Sequence, residues 1–154
     1  MPETKMHVMC ASRQWKEVHM RCISHPRELV IKNEHAEGKL PVIYALQQGA
    51  PLEIIQWMVN TNYNIDVKHA EDEVDMLTMV SKSLSIVLHH AALYSDVETI
   101  NYLVKQNPKT LSMVNLDGKF PKDLAKEKKR DQKIINALTL PFWQKMNAYI
   151  NGDL

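Results

Sequence analysis

The sequence predicts an all-helical chain assembled from repeated pairs of short helices. Glycine is scarce, at 4 of 154 residues. Alternation of apolar and polar residues, which marks a half-buried strand, is rare. Apolar residues instead recur at spacings of three and four, as one face of a helix requires. The third observation is an internal repeat, since two distant stretches carry the same residues at nearly the same spacing.

The two repeated stretches span 26–41, PRELVIKNEHAEGKLP, and 108–121, PKTLSMVNLDGKFP. Both contain Pro, then a basic residue, Leu three positions after the Pro and Asn four after the Leu, and both close on Gly-Lys-apolar-Pro. Proline is tolerated in the first turn of a helix, where its missing N–H would have no partner. Pro41 and Pro121 are therefore predicted to begin helices. Helices this short are unstable alone, so each pair must bury its apolar face against the next pair.

Alanines in the first helix of each pair set the period. The aligned residues are Ala11, Ala45, Ala91 and Ala125, at spacings of 34, 46 and 34 residues. The second helices carry apolar residues at helical spacing, namely Ile54, Ile55 and Met58, then Ile100, Leu103 and Val104, then Ile134, Ile135 and Leu138. This alignment predicts one domain over 1–154, with helix pairs at roughly 3–32, 33–62, 81–114 and 115–140.

These residues resemble the ankyrin repeat, whose pattern runs G-x-T-P-L-H-x-A-A-x-x-G before an apolar second helix. Three pairs match it, at Gly38, Pro41, Ala45 and Gly49, at Leu88, His89, Ala91 and Ala92, and at Gly118, Pro121, Leu124 and Ala125. Leu40, Ile86 and Phe120 replace the family's threonine, Leu84 stands where Gly is usual, and the first pair lacks the motif. The resemblance covers residues 10–138. It implies a solenoid of stacked helix-turn-helix units with hairpin-like turns.

Two segments depart from the repeat. The first is an insertion at 62–84, whose acids are Asp66, Glu71, Asp72, Glu73 and Asp75. It is interpreted as a solvated loop or, alternatively, as an acidic finger that touches a partner, and its apolar part, 76–80, is predicted to fold back onto the helices. The second segment, 141–152, predicts a helix that caps the last pair. An exposed partner-binding or membrane-surface helix is its alternative.

The residue types that usually carry chemistry are sparse or unsuitably spaced. The best candidates for metal ligands are Cys10, His19, Cys22 and His25. Their spacing matches no zinc-binding pattern. The Gly-Lys steps at Gly38 and Gly118 lack the spacing of a phosphate-binding loop. The resemblance implies that His89 hydrogen-bonds neighbouring backbone and braces adjacent pairs. We therefore expect no enzymatic activity, no cofactor and no metal.

Charge and hydropathy narrow the possible partners. A formal net charge of +1 provides no global attraction to nucleic acid or membrane. The first residues lack the apolar core of a signal peptide and no long apolar run occurs, so we expect the cytosol or nucleus and no membrane span. The segment 119–133 holds seven basic residues against three acids. It is interpreted as a solvated face, with nucleic-acid or anionic-surface binding as the alternative.

The resemblance implies non-catalytic recognition of a partner protein through the concave face and turn tips, by a chain that is monomeric when free. A structural adaptor role in a larger assembly is a further alternative. The implied contacts are turn-tip residues and the residues after the inner-helix alanines. They are Arg13, Gln14, Glu37, Lys39, Gln47, Gln48, Lys82, Ser83, Ser85, Leu93, Tyr94, Asp117, Lys119, Glu127 and Lys128, with Ala36 and Leu116 beside them. An exposed central aromatic residue is the usual anchor, so Tyr94 is the predicted strongest contact.

Overall fold

A computed structural model describes residues 3–64, 75–140 and 150–152, and the regular structure within them is helical. The α-helices are α1 (Lys5–Ala11), α2 (Trp15–Ser24), α3 (Pro41–Gln47), α4 (Leu52–Asn64), α5 (Val87–Tyr94), α6 (Val97–Gln106), α7 (Pro121–Glu127) and α8 (Gln132–Ala137). Short 3-10 helices span Pro26–Val30, Met76–Thr78 and Pro108–Ser112. Strand-type pairing in these ranges is limited to an isolated bridge between Asn33 and Lys39. The prediction of an all-α chain is confirmed.

The helices begin where the sequence supplies suitable first residues. Pro41 and Pro121 occupy the first turns of α3 and α7, as predicted from the absence of an N–H on proline. The carboxylate of Asp96 caps α6, since its Oδ1 accepts the N–H of Thr99 at 2.9 Å. Such contacts satisfy N–H groups that the first helical turn leaves without a partner.

The helices pack in two rows. Helices α1, α3, α5 and α7 form an inner row of successive neighbours, and α2, α4, α6 and α8 form an outer row, with each outer helix against its own inner helix. Ala45, Ala91 and Ala125 are fully buried in the inner row, where the small side chain lets backbones approach closely. The core between the rows includes Ile55 and Met58, both at 0 % exposure.

The first helix pair aligns differently from the sequence prediction. Helix α1 begins at Lys5, so the residue that corresponds to Ala45, the fifth of α3, is Met9. Ala11 is instead the exposed last residue of α1, and its alignment with Ala45 was wrong. Thr4 and His7 precede Met9 at the spacing that Ile86 and His89 keep before Ala91. His7 Nδ1 accepts the N–H of Thr4, as His89 Nδ1 accepts that of Ile86.

The described part of the insertion folds back onto the helices. Met76 is 1 % exposed, and its short 3-10 helix packs against α5. Asn62 accepts the N–H of Met76 on its Oδ1 at 3.2 Å, and Asn107 Nδ2 donates to Asp75 Oδ2 at 2.7 Å. The predicted return of the apolar part of the insertion is confirmed, while most of its acidic half lies at 65–74, outside the described residues.

The predicted capping helix at 141–152 also lies outside the described residues, apart from 150–152. Of the apolar residues assigned to it, the structure describes Ile150, whose side chain is 71 % exposed. Ile134 on α8 and Leu138 at its C-terminal cap are buried, at 7 % and 1 % exposure. The cap therefore stays a prediction.

Candidate functional site

Three hairpin-like turns follow the helix pairs in sequence and precede α3, α5 and α7. Each is closed by a backbone N–H···O bond between its end residues, of 2.9 Å in 33–39, 3.0 Å in 81–85 and 3.0 Å in 115–119. Asparagine side chains stabilise two of them. Asn33 Oδ1 accepts the N–H of His35 at 3.1 Å, and Asn115 Oδ1 accepts the N–H of Asp117 at 3.0 Å. Asn favours such turns because its side chain bonds the backbone two residues later.

The three turns are joined to one another through their backbones. Lys82 N–H donates to the carbonyl of Glu37 at 2.8 Å, which links the first turn to the second. Leu116 N–H donates to the carbonyl of Ser83 at 2.9 Å, which links the second to the third. The turn tips therefore form one continuous edge rather than three independent loops.

Two buried histidines tie inner helices to this edge. His7 Nε2–H donates to the carbonyl of Lys39 at 3.1 Å, and His89 Nε2–H donates to that of Lys119 at 2.9 Å. In each ring, Nδ1 accepts a backbone N–H from three residues earlier, which fixes the neutral tautomer. Burial lowers the pKa of both imidazoles. The predicted bracing by His89 is confirmed, and the corresponding role of His7 was missed.

His90 is the neighbouring ring on α5, and its Nε2 has no hydrogen-bond partner within the described residues. Desolvation by burial, followed by the nearby charge of Lys39, lowers the pKa of His90 to about 4. The ring is therefore neutral at physiological pH. Such a buried polar atom destabilises the folded state, because it loses its hydrogen bonds to water and gains none in the protein.

The charged residue that the sequence placed least accurately is Arg130. It was assigned to the solvated basic face, but its guanidinium donates to the carbonyl of Leu93 at 2.6 Å and to that of Ser95. Both carbonyls lie at the C-terminal end of α5, where backbone carbonyls lack partners within the helix. Arg130 thus joins the α7–α8 connection to the end of α5.

Replacing Arg130 with Ala is expected to lower the free energy of unfolding by about 1–2 kcal/mol, because both carbonyls lose charge-assisted bonds. A urea titration followed by circular dichroism measures the loss. Lys128→Ala is the matched control, since this neighbouring side chain is exposed. Equal stabilities for the two variants would contradict the structural role of Arg130.

Most of the predicted contact residues have accessible side chains. The exposed ones are Arg13, Gln14, Glu37, Lys82, Tyr94, Asp117, Glu127 and Lys128. The half-buried ones are Lys39, Gln47, Gln48, Ser83, Leu93 and Lys119. Ser85 is a correction, because it is only 7 % exposed and its Oγ accepts a hydrogen bond from Ser83 Oγ at 3.0 Å. Its side chain is used within the turn, so we remove it from the contact set.

Polar contacts connect parts of this set. Lys119 Nζ lies 2.8 Å from Glu127 Oε1, an ion pair that joins the third turn to the end of α7. Arg13 Nε donates to Gln48 Oε1 at 3.2 Å, which joins the ends of α1 and α3. The third turn is therefore linked to the end of α7, and the end of α1 is linked to the end of α3.

Leu84 is a surface residue that the sequence analysis did not include among the contacts. Its side chain is 45 % exposed and its φ is 55°, in the left-handed region that side chains disfavour. Gly38 and Gly118 occupy the corresponding positions of the other turns, each with a φ of 70°. The signal was present in the sequence as a leucine at the glycine position of the repeat.

The cysteines lie in the interior. Cys10 is 0 % and Cys22 is 1 % exposed, and burial raises the pKa of their thiols to about 12 and about 11. Both are neutral at physiological pH and pack as small apolar groups. Across the described ranges, no three His, Cys, Asp or Glu side chains converge as a metal site would require. In the same ranges, no helix has the length and apolar character needed to cross a membrane.

No model of a known protein family matches the sequence, and no curated protein matches it. The resemblance to the ankyrin repeat accordingly depends on the sequence motifs alone.

Proposed function

We propose that this chain is an ankyrin-type solenoid that recognises a partner protein and performs no catalysis itself. The two-row packing of helix pairs, with a hairpin-like turn before each of three inner helices, supports the solenoid. The single observation that carries the function is the continuous edge of turns, linked by the Lys82–Glu37 and Leu116–Ser83 backbone bonds. A rigid edge costs little conformational entropy when a partner binds it.

Tyr94 is the proposed anchor of this surface. Its side chain is 45 % exposed at the end of α5, a central member of the inner row. Arg130 bonds the carbonyl of Leu93, so the backbone that carries Tyr94 is already fixed in the free chain. Aromatic rings on fixed backbone provide large contact area at low entropic cost, which is why they dominate binding energy.

Substituting Tyr94 with Ala should weaken binding of the partner by about tenfold or more while leaving the melting temperature close to that of the wild type. The partner is first obtained by affinity purification on the immobilised full chain with mass spectrometry. The purified partner is then titrated calorimetrically against both forms. Met20→Ala is the control, because Met20 is 59 % exposed on the outer helix α2. Loss of affinity in the control alone would contradict the proposed surface.

One observation favours an alternative function, which is binding of nucleic acid or another anionic surface. Lys126, Lys128 and Lys129 are exposed on the end of α7 and its following turn, and none forms an ion pair within the described ranges. Contacts to phosphates would make affinity fall steeply with salt, in proportion to the number of phosphates neutralised. A fluorescence titration with labelled RNA and DNA at increasing salt distinguishes this alternative from a protein partner.

A further inference from the structure

Four non-glycine residues have a positive φ within the described ranges, and Leu84 is the apolar one among them. The left-handed conformation places Cβ too close to the following carbonyl oxygen, so residues other than glycine are disfavoured there. Glycine is tolerated at no such cost, and it occupies the same position in the turns on either side. Strain of this kind persists in folded proteins mainly where the side chain serves a function.

The side chain held at this cost is not used to fill the core. Leu84 is 45 % exposed, and Leu116 on the adjacent turn is 68 % exposed. Their backbones are adjacent, because Leu116 N–H bonds the carbonyl of Ser83, the residue before Leu84. Adjacent exposed leucines on rigid backbone form an apolar strip, and apolar groups gain free energy when a partner covers them.

Positive charge is available in the fourth helix pair, whose preceding turn carries Leu116. The Lys119–Glu127 ion pair joins the turn that carries Leu116 to the end of α7. Beyond it, Lys128 and Lys129 are exposed and form no ion pair among the described residues. Their charge is available to carboxylates on a partner, which would also accelerate its association.

We propose that Leu84 and Leu116 form the apolar anchor for a protein segment that carries an aliphatic or aromatic side chain next to carboxylates. The carboxylates of that segment face Lys128 and Lys129. This inference rests on the proposed protein-binding function and specifies the chemistry of the partner. On this interpretation, the strained backbone at Leu84 destabilises the free chain slightly and holds the leucine side chain where a partner can contact it.

The test selects ligands from a random peptide library displayed on phage, with the immobilised full chain as the target. We expect the enriched peptides to share an aliphatic or aromatic residue flanked by Asp or Glu. A synthetic peptide of that consensus, titrated calorimetrically against the chain, should bind more weakly as salt increases, because salt screens the exposed lysines. A labelled oligonucleotide is titrated in parallel as the competing class of ligand.

Leu84→Gly separates binding from folding. Because it removes the anchor and relieves the backbone, we expect about tenfold or more loss of peptide affinity with no decrease in melting temperature. Leu116→Ser should weaken binding similarly. The charge reversal of Lys128 and Lys129 to Glu should weaken it at low salt most strongly. Val8→Ser is the matched control, since Val8 is 47 % exposed on α1, in the first helix pair.

Three outcomes would overturn the inference. Selected peptides without acidic residues would remove the stated partner chemistry. Peptides that bind Leu84→Gly and Leu116→Ser as tightly as the wild type would remove the anchor, while leaving protein recognition by another part of the surface intact. Enrichment of no peptide, together with tight oligonucleotide binding, would overturn both the inference and the proposed function.

Discussion

The Ala91→Asp variant is expected to lose cooperative folding of more than one helix pair. Ala91 is 0 % exposed on α5, and α5 packs against both α3 and α7. An unpaired carboxylate buried there costs about 3–5 kcal/mol, and the larger side chain also forces the inner helices apart. That cost is comparable to the whole stability of a small domain, about 5–15 kcal/mol. Since neighbouring pairs share their interfaces, the loss spreads beyond α5 and α6.

Thermal melts followed by circular dichroism at 222 nm measure this effect. The control is Ala11→Asp, which introduces the same charge at an exposed residue of α1 and should melt close to the wild type. This pair of variants also tests the helix alignment, because the sequence alone placed both alanines in the same structural position. An Ala91→Asp chain with an unchanged melt, or an Ala11→Asp chain that unfolds, would contradict the inner row as described.

Acid is expected to destabilise the chain well before its carboxylates become protonated. The folded-state pKa values of His7, His89 and His90 lie below the ordinary value of 6.5, chiefly because burial disfavours the charged ring. A group whose pKa is depressed by folding contributes its full stability above its unfolded pKa and loses it as the pH falls toward the folded pKa. With a pKa of about 4, His90 alone should remove about 2 kcal/mol between pH 7 and 5.

The measurement is the free energy of unfolding in urea at several pH values from 7 to 5. The His90→Leu variant should show a shallower decrease with falling pH, and it should be at least as stable as the wild type at pH 7, because the unpaired Nε2 is removed. Met20→Leu provides the control, because it changes an exposed residue of α2 that has no titratable group, and it should keep the wild-type slope. Parallel curves for the wild type and His90→Leu would show that protonation of His90 does not destabilise the folded state.

Much of the fold was predictable, because the strongest local signals agree with the packing. Pro41 and Pro121 begin helices in the structure as in the prediction, and the apolar residues Ile54 and Ile55 are buried on the predicted face. The first pair was misaligned because α1 offers neither Pro at its start nor Gly at its end. The alignment of this pair was therefore based on its single alanine, Ala11. A small residue at the end of a helix can be exposed, so an alanine alone does not identify the buried position.

The site was less predictable, since its details depend on contacts distant in sequence. Arg130 looks like one of several basic residues until α5 is brought beside it, when its guanidinium reaches two backbone carbonyls. Ser85 looks like an exposed tip residue, but its hydroxyl bonds Ser83 within the turn. Leu84 was recognisable as a departure from glycine, whereas its exposure and the nearby backbone of Leu116 are visible only in the folded chain.

The two-row arrangement also has a consequence for how the chain emerges from the ribosome. Within the described ranges, each helix pair packs against the pair that precedes or follows it in sequence. Helices α1 to α4 pack together within residues 5–64, and they can begin to associate before α5 has been translated. Local contacts of this kind favour rapid folding, and each later pair then docks onto a surface that already exists. The chain can therefore assemble in the direction of its synthesis.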